Sequence, residues 1–337
     1  MSDKVRFAMV GAGAISQSYA QAFETCQTAQ LVAVADVRPE AAKALAQGFS
    51  CPSYDSYQTM AQSETFDAAI VCTPPATHPE ITTFLLGRGT NVLCEKPLAI
   101  DSASAGQMLD AARRSGATLT MGSKFRYVDD VIRAKSIVAS GILGEIVLFE
   151  NAFTARVDMS TRWNSNPKIS GGGVLIDNGA HSIDIIRYFL GPIADVQVIE
   201  GKRIQGLNVE DTVRVFARST AGVMGNIDLS WSINKELDSY INIFGSNGTI
   251  SVGWKESKYR QSSSRDWIVF GKGYNKVQAF RSQIENFAKS IRGDETLLIT
   301  AEDALASVQV IEAAYASLKQ QNWVAVNGHA KLAKGAA

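Results

Sequence analysis

Three groups of residues in this 337-residue chain have types and spacings that can do chemistry. The first is Gly11-Ala12-Gly13-Ala14-Ile15-Ser16, which follows an apolar run and opens a helix-like stretch. In such a turn the first glycine permits the tight bend and the second lets backbone approach a pyrophosphate. The third position takes a small residue so that helix and strand pack closely; here it is serine. The free N–H groups of the helix start, around Ala14 and Ile15, would face the phosphates with the positive end of the helix dipole. Asp36 ends the next apolar run, 20 residues after Ser16, where a ribose-binding carboxylate belongs. A plain structural turn beside an exposed strand-end aspartate uses the same letters. The pairing of turn and carboxylate is what points to a dinucleotide. A carboxylate accepts hydrogen bonds from both ribose hydroxyls and repels a 2′-phosphate, so NAD is expected over NADP. Arg38 keeps NADP open, because an arginine can reach a phosphate or stack on adenine; read plainly, it is a solvated helix-start residue.

The second group is a pair of loops. Cys72-Thr73-Pro74-Pro75-Ala76-Thr77-His78 and Cys94-Glu95-Lys96-Pro97 each begin where a short apolar run ends. Ligands of open α/β sheets bind outside the carboxyl ends of strands, which makes Thr73, Pro74, Glu95 and Lys96 candidate cofactor contacts. His78 either faces a nicotinamide or caps the next helix. Lys96, pinned by Pro97, is placed to hydrogen-bond a substrate hydroxyl and stabilise a developing alkoxide; the alternative is a surface lysine beside a loop proline. The third group follows Gly171-Gly172-Gly173. Asp177 and His181 are four apart and share a helix face, with Asp184 and Tyr188 continuing the stripe. An Asp and a His so placed can act as a proton acceptor with its orienting partner, or can be a buried structural pair.

The elements that must hold these groups are legible from the apolar pattern. Val5–Val10, Leu31–Ala35, Ala68–Cys72, Val92–Cys94 and Thr118–Met121 read as short strands. Helical stretches Ile15–Thr25, Pro39–Gln47, Ile81–Leu86 and Ser102–Ser115 alternate with them. That alternation argues for α/β architecture with a doubly wound parallel sheet over residues 1–122. From Glu145 the character changes. Strands are expected over 145–156, 196–201, 212–218, 223–232, 240–244 and 249–252, with a hairpin turn at Thr220–Gly222. One helix, Val174–Leu190, interrupts them, and two close the domain, near 277–291 and 301–319. This reads as a second, α+β domain over 123–325 built on a large, mostly antiparallel open sheet, followed by a tail over 326–337.

Composition removes other classes. Lys plus Arg and Asp plus Glu are both 33, so no basic excess exists to neutralise a nucleic acid backbone. No apolar run approaches the roughly 18 to 20 residues of a membrane helix, and the charged N-terminus does not follow a signal-peptide plan. Four scattered cysteines without a CxxC pair fit a reducing cytoplasm. Three histidines make a His-rich zinc site unexpected, and no metal is expected.

With these residues in view, the chain resembles the glucose–fructose oxidoreductase/inositol dehydrogenase family, Gfo/Idh/MocA. The resemblance is carried by VGAGAIS at 10–16, VADVRPEAA at 34–42, CTPPATHPE at 72–80, CEKPLA at 94–99, GGGVLIDNGAH at 171–181 and EDALASVQVIEAAYASLKQ at 302–320. It implies an N-terminal Rossmann domain and a C-terminal domain whose open sheet packs on another subunit, giving a homodimer or homotetramer. It implies a dehydrogenase or reductase of sugars, cyclitols or sugar derivatives, working in the cleft near residue 122. By this resemblance Lys96 is the active-site lysine, Asp177 and His181 the acid/base pair, and Gly11, Gly13 and Asp36 dinucleotide contacts. The family also contains glycosidases that use NAD in a redox-neutral elimination, and a non-catalytic NAD-binding protein is a further alternative. Ser123-Lys124-Phe125-Arg126 departs from the asparagine- and arginine-rich turn of many members. There Lys124 and Arg126 are either substrate contacts or surface cations. Arg156, Arg162 and Trp163 are placed to line a sugar pocket, with ordinary core the alternative for Trp163.

Overall fold

The computed structural model describes residues 4–326. The described residues divide into two compact units, one formed by those up to 127 with 275–305 and the other by 128–274 with those from 306 on.

In the first unit, strands β1 (Val5–Val10), β2 (Ala29–Ala35), β3 (Ser53–Tyr54), β4 (Ala68–Val71), β5 (Asn91–Glu95) and β6 (Leu119–Gly122) form a sheet in the order β3-β2-β1-β4-β5-β6. Every neighbouring pair is parallel. Helices α1 (Ala14–Thr25), α2 (Pro39–Gln47), α3 (Tyr57–Ser63), α4 (His78–Gly87) and α5 (Ser102–Ser115) connect them. Each residue of β4 is buried, as a strand covered on both faces must be, which is why its sequence is the uninterrupted apolar Ala-Ala-Ile-Val. The order reverses at β1, so β2 and β4 flank it and the carboxyl ends of β1 and β4 form the switch point. The short edge strand β3 and helix α3 are additions to the sequence reading; two residues of strand carry no periodicity to detect.

In the second unit, α6 (Asp129–Ala139), β7 (Ile146–Thr154), α7 (Pro167–Ser170), α8 (Val174–Leu190), β8 (Ile193–Glu200), β9 (Thr212–Ser219), β10 (Met224–Ser230), β11 (Ser239–Gly245), β12 (Gly248–Gly253), β13 (Ser257–Gln261), β14 (Ile268–Gly271) and β15 (Val324–Ala325) follow. Nine strands join in the order β14-β13-β12-β11-β7-β10-β9-β8-β15. Only β7 and β10 run parallel. The turn at Thr220–Gly222 closes the β9–β10 hairpin with Met224 opposite Arg218. Strand alternation puts Val213, Val215, Ile227 and Leu229 on the buried face. Helix α8 packs there closely enough that a Cβ on Gly225 would overlap Ile186. Strands β13 and β14 go beyond the sequence reading: Ser-Lys-Tyr-Arg-Gln of β13 is too polar to show an apolar alternation, and the edge strand β14, Ile-Val-Phe-Gly, is too short to show one.

The helix α9 (Lys276–Arg292) lies with the first unit rather than with the second domain expected over 123–325. Its Phe280, Ile284, Phe287 and Ala288 enter the core that holds Phe7, Tyr19 and Phe23, and Phe287 meets Phe7 edge-on at 6.0 Å. An amphipathic pattern shows that a helix buries one face, not which sheet receives it. The last helix, α10 (Ala301–Gln320), contributes residues to both units. The tail expected over 326–337, His329 included, lies outside the described residues except for Val326. Among the described residues no helix is long and apolar enough to cross a membrane, and no cluster of three or more His, Cys, Asp or Glu is suited to a metal.

Candidate active site

The glycine turn between β1 and α1 has two glycines with different jobs. Gly11 has φ of +96°, and a Cβ there would stand 2.8 Å from the Cys72 carbonyl oxygen. Glycine is therefore required by both conformation and space. Gly13 has φ of −80° and heads α1 with no side-chain cap. A Cβ on it would meet nothing within 4 Å. The buried Ser16 hydroxyl donates to the Gly11 carbonyl at 2.6 Å, so the departure from the usual third residue adds a bond that holds the turn. Asp36 accepts from the Ala12 N–H at 2.7 Å. Burial pushes its carboxyl up, but the Arg38 side chain and the Ala12 and Arg38 amides outweigh that and hold it below the usual range. Open space above Gly13, an uncapped helix start flanked by Ala14 and Ile15, and an ionised Asp36 together fit a dinucleotide.

The loops after β4 and β5 stand beside that turn. Pairing sets Val10 opposite Val71, and Val71 opposite Cys94, so the three strands end side by side. The Lys96–Pro97 peptide is cis. His78 is fully buried. Its Nδ1 lies 3.0 Å from the Pro97 carbonyl and its Nε2 2.8 Å from the Thr73 carbonyl. Burial outweighs these carbonyls and lowers the imidazole pKa, and the charge of Lys96 acts in the same direction. A ring so enclosed ties the Thr73-Pro74 loop to the lysine loop. Of the two sequence readings, its enclosure argues against facing a nicotinamide.

Glu95 lies beneath Lys96. One carboxylate oxygen accepts from the Tyr19 hydroxyl at 2.7 Å and the other from the Lys96 amide at 3.1 Å. Gln283 of α9 donates to the Tyr19 oxygen at 2.8 Å. Burial pushes the Glu95 carboxyl up, against the pull of Tyr19, Lys96 and Lys124. Lys124 is half-buried, with its ammonium 5.1 Å from the Phe125 ring centre and 5.7 Å from that of Phe280. Its charge reaches Glu95, and its half-buried place differs from that of an open surface cation. Arg126 is 4% exposed and reaches Asp303 and the Leu298 carbonyl, both at 3.3 Å. Neither reading from the sequence, surface cation or substrate contact, describes this buried guanidinium, because Asp303 is 177 residues away in the chain.

In the second unit, the first turn of α8 is held by a residue that spacing did not reveal. Glu210 accepts from the Gly173 and Leu175 amides at 2.9 and 3.1 Å and from the Tyr315 hydroxyl at 2.8 Å. Burial raises its carboxyl pKa against those donors. Side chains on Gly172 and Gly173 would overlap Tyr315 and Glu210, which explains the glycine run. Asp177 sits half-buried one turn on. His181 is 7% exposed, with its ring edge-on to Phe153 at 6.4 Å. Phe153 in turn stacks on Tyr240 at 5.9 Å, and Tyr240 packs on Trp254. Arg156, Arg162 and Trp163 are exposed on the connection from β7 to α7.

Residues 5–123 match the family model described as "Oxidoreductase family, NAD-binding Rossmann fold", and residues 131–251 match the GFO/IDH/MocA C-terminal domain. The chain is similar to the inositol 2-dehydrogenase of Rhizobium meliloti (strain 1021), at 26% identity over 96% of this chain and 99% of that protein. It is similar to the D-glucoside 3-dehydrogenase of Escherichia coli (strain K12), at 30% identity over 77% and 71% of the two chains. Among solved structures, GenD2 from gentamicin A biosynthesis in complex with NAD superposes with a TM-score of 0.86, at 25% identity and 97% of each chain.

Proposed function

The chain belongs to the GFO/IDH/MocA family of NAD-binding oxidoreductases, and from that premise we propose that it transfers a hydride between a nicotinamide cofactor and a secondary alcohol or ketone carbon of a sugar, cyclitol or sugar derivative. NAD, when bound, supplies the hydride acceptor. The protein's own residues do the rest. The amides after Gly13 hold the pyrophosphate and Asp36 the adenosine ribose. Lys96 donates a hydrogen bond to the substrate oxygen and stabilises the alkoxide that develops there. His181 takes the hydroxyl proton, and Asp177 orients His181 or the substrate. The observation that carries this reading is the position of Lys96, directly after β5, in a loop that His78 ties to the loop touching Gly11. The relatives named inositol 2-dehydrogenase and D-glucoside 3-dehydrogenase support the substrate class.

Arg156, Arg162 and Trp163 remain substrate contacts in this proposal, since they are exposed before α8. Arg126 does not, because its guanidinium is engaged by Asp303 and Leu298. A homodimer or homotetramer would form through the outer face of the nine-stranded sheet. That face carries Ile199, Phe216 and Met224 among the Arg214–Asp228 and Arg218–Asp195 pairs. Free thiols at all four cysteines support a cytoplasmic location. The test is a turnover screen with NAD and NADP against polyols, aldoses, nucleotide sugars and glycosides. Net NADH formation on a polyol or sugar supports the proposal. Glycoside cleavage without net NADH would replace it with the elimination mechanism, and NADH binding without any turnover with a binding protein.

A further inference from the structure

A stack of aromatic rings leads away from His181 in the second unit. Phe153, near the end of β7, meets the imidazole edge-on at 6.4 Å. Tyr240 stacks on Phe153 at 5.9 Å. Trp254 lies against both, 4.6 Å from Tyr240 and 6.2 Å from Phe153. Tyr274 abuts the indole at 5.7 Å with its plane turned by 89°. The topology explains why they meet. Strand β11 is antiparallel to both β7 and β12, so β7 and β12 run the same way and finish at the same end of the sheet. Helix α8 is tied to that end, because the Asn178 side chain donates to the Phe153 carbonyl at 3.4 Å. Ile250 and Val252 of β12 are fully buried, and alternation puts Trp254, the first residue beyond that strand, on the same face. Burial then separates the rings. Phe153 is 7% exposed and Tyr240 1%, whereas Trp254 is 39% exposed. An indole gripped by three rings is already ordered, so it loses little freedom when a further ring settles on it.

We infer that Trp254 forms a second subsite, which takes a ring carried by the sugar that is oxidised, so that the substrate is a glycoside and not a free monosaccharide or cyclitol. The inference deepens the proposed hydride transfer and rests on His181 standing at the reacting oxygen. Phe153 links the imidazole to the indole through two ring contacts. A sugar that presents a hydroxyl to His181 is served by that end of the stack, and the indole at the other end meets what the sugar carries. The indole is flat and apolar, with one N–H donor and no charge. It suits the C–H face of a second sugar or an aromatic aglycone, and it does not select a phosphate or carboxylate.

The test is steady-state oxidation of methyl β-D-glucopyranoside, phenyl β-D-glucopyranoside and cellobiose by the full chain with NAD. The three share one sugar ring and differ in what it carries. In wild type, kcat/KM for the phenyl glucoside or for cellobiose should exceed that for the methyl glucoside at least about tenfold. The phenyl arm reports an aromatic aglycone and the cellobiose arm a second sugar. Trp254→Ala should reduce that preference at least about fivefold, through KM, and Trp254→Phe, with a smaller ring, about two- to threefold. The phenylalanine variant decides the matter should the alanine variant not fold. No preference in wild type, or the same preference in the variants, would overturn the inference. So would a kcat lowered equally on all three, which would make the indole a prop for Phe153 and His181. If polyols or aldoses of the turnover screen are oxidised and none of the glucosides is, the second subsite fails and hydride transfer stands. If no compound is oxidised, both fail.

Discussion

Gly11 and Gly13 stand two residues apart and should fail in opposite ways when each is changed to alanine. At Gly11 the backbone has φ of +96°, and the added methyl would lie 2.8 Å from the Cys72 carbonyl oxygen, 2.9 Å from its carbon and 3.1 Å from the Thr73 nitrogen. These are backbone atoms of a loop fixed by β4 and His78, so they cannot swing aside as a side-chain tip would. Positive φ costs an L-residue about 1–2 kcal/mol, and overpacking a filled site typically another 1–3 kcal/mol. Gly11→Ala should therefore lose about 2–5 kcal/mol, out of a total stability near 5–15 kcal/mol. At Gly13 the φ of −80° suits any residue, and the methyl meets nothing within 4 Å. Gly13→Ala should cost no more than about 1 kcal/mol of stability, the scale of an N-cap change. Its methyl enters the space proposed for the pyrophosphate, so NADH should bind at least tenfold more weakly, about 1.4 kcal/mol. Stability is best followed by circular dichroism in urea, because all five tryptophans lie at position 163 or later, in the second unit. Binding is followed by NADH fluorescence. Gly11→Ala within 1 kcal/mol of wild type, or Gly13→Ala with wild-type NADH affinity, would refute the division of labour.

Other expectations follow from the same geometry. His78 is buried with its pKa lowered by desolvation, so the unfolded chain, with a histidine pKa of about 6.5, binds the extra proton more readily. Stability from this group is present above about pH 6.5 and is lost as pH falls through the lower folded value; His78→Gln should flatten that part of the unfolding profile, and an unchanged slope would assign it elsewhere. Arg126→Ala should lose about 1.5–3 kcal/mol, the scale of hydrogen bonds to charged groups, with KM within twofold. A raised KM at unchanged stability would return Arg126 to the substrate. Glu210→Ala strands the Gly173 and Leu175 amides and the Tyr315 hydroxyl, at about 1–3 kcal/mol; it should reduce kcat through a misplaced Asp177, with Glu210→Gln restoring most of it. Full activity in Glu210→Ala would separate the α8 start from the chemistry.

What the sequence made legible was local. The glycine turn, Asp36 and the strand-end lysine announce themselves because their partners lie within one βαβ unit, where spacing encodes geometry. The helix Val174–Leu190 was readable to the residue, since a glycine run and Gly191-Pro192 bound its apolar period. What stayed hidden was long-range. Glu210 caps α8 from 37 residues beyond Gly173. Gln283 reaches Tyr19 across 264 residues to fix the hydroxyl that holds Glu95. By its letter Arg126 is a cation for solvent or substrate, whereas the fold sets Asp303 against it. Charge and polarity can be read from a letter, but burial and partner cannot when the partner arrives from another element.

The central claim is that Lys96 stabilises the oxygen of the carbon that loses or gains the hydride. The most direct measurement is the turnover of Lys96→Met on the best substrate of the screen, with NADH affinity measured on the same preparation. NADH binding should be unchanged and turnover should fall at least about 100-fold. Near-normal turnover by that variant would contradict the claim.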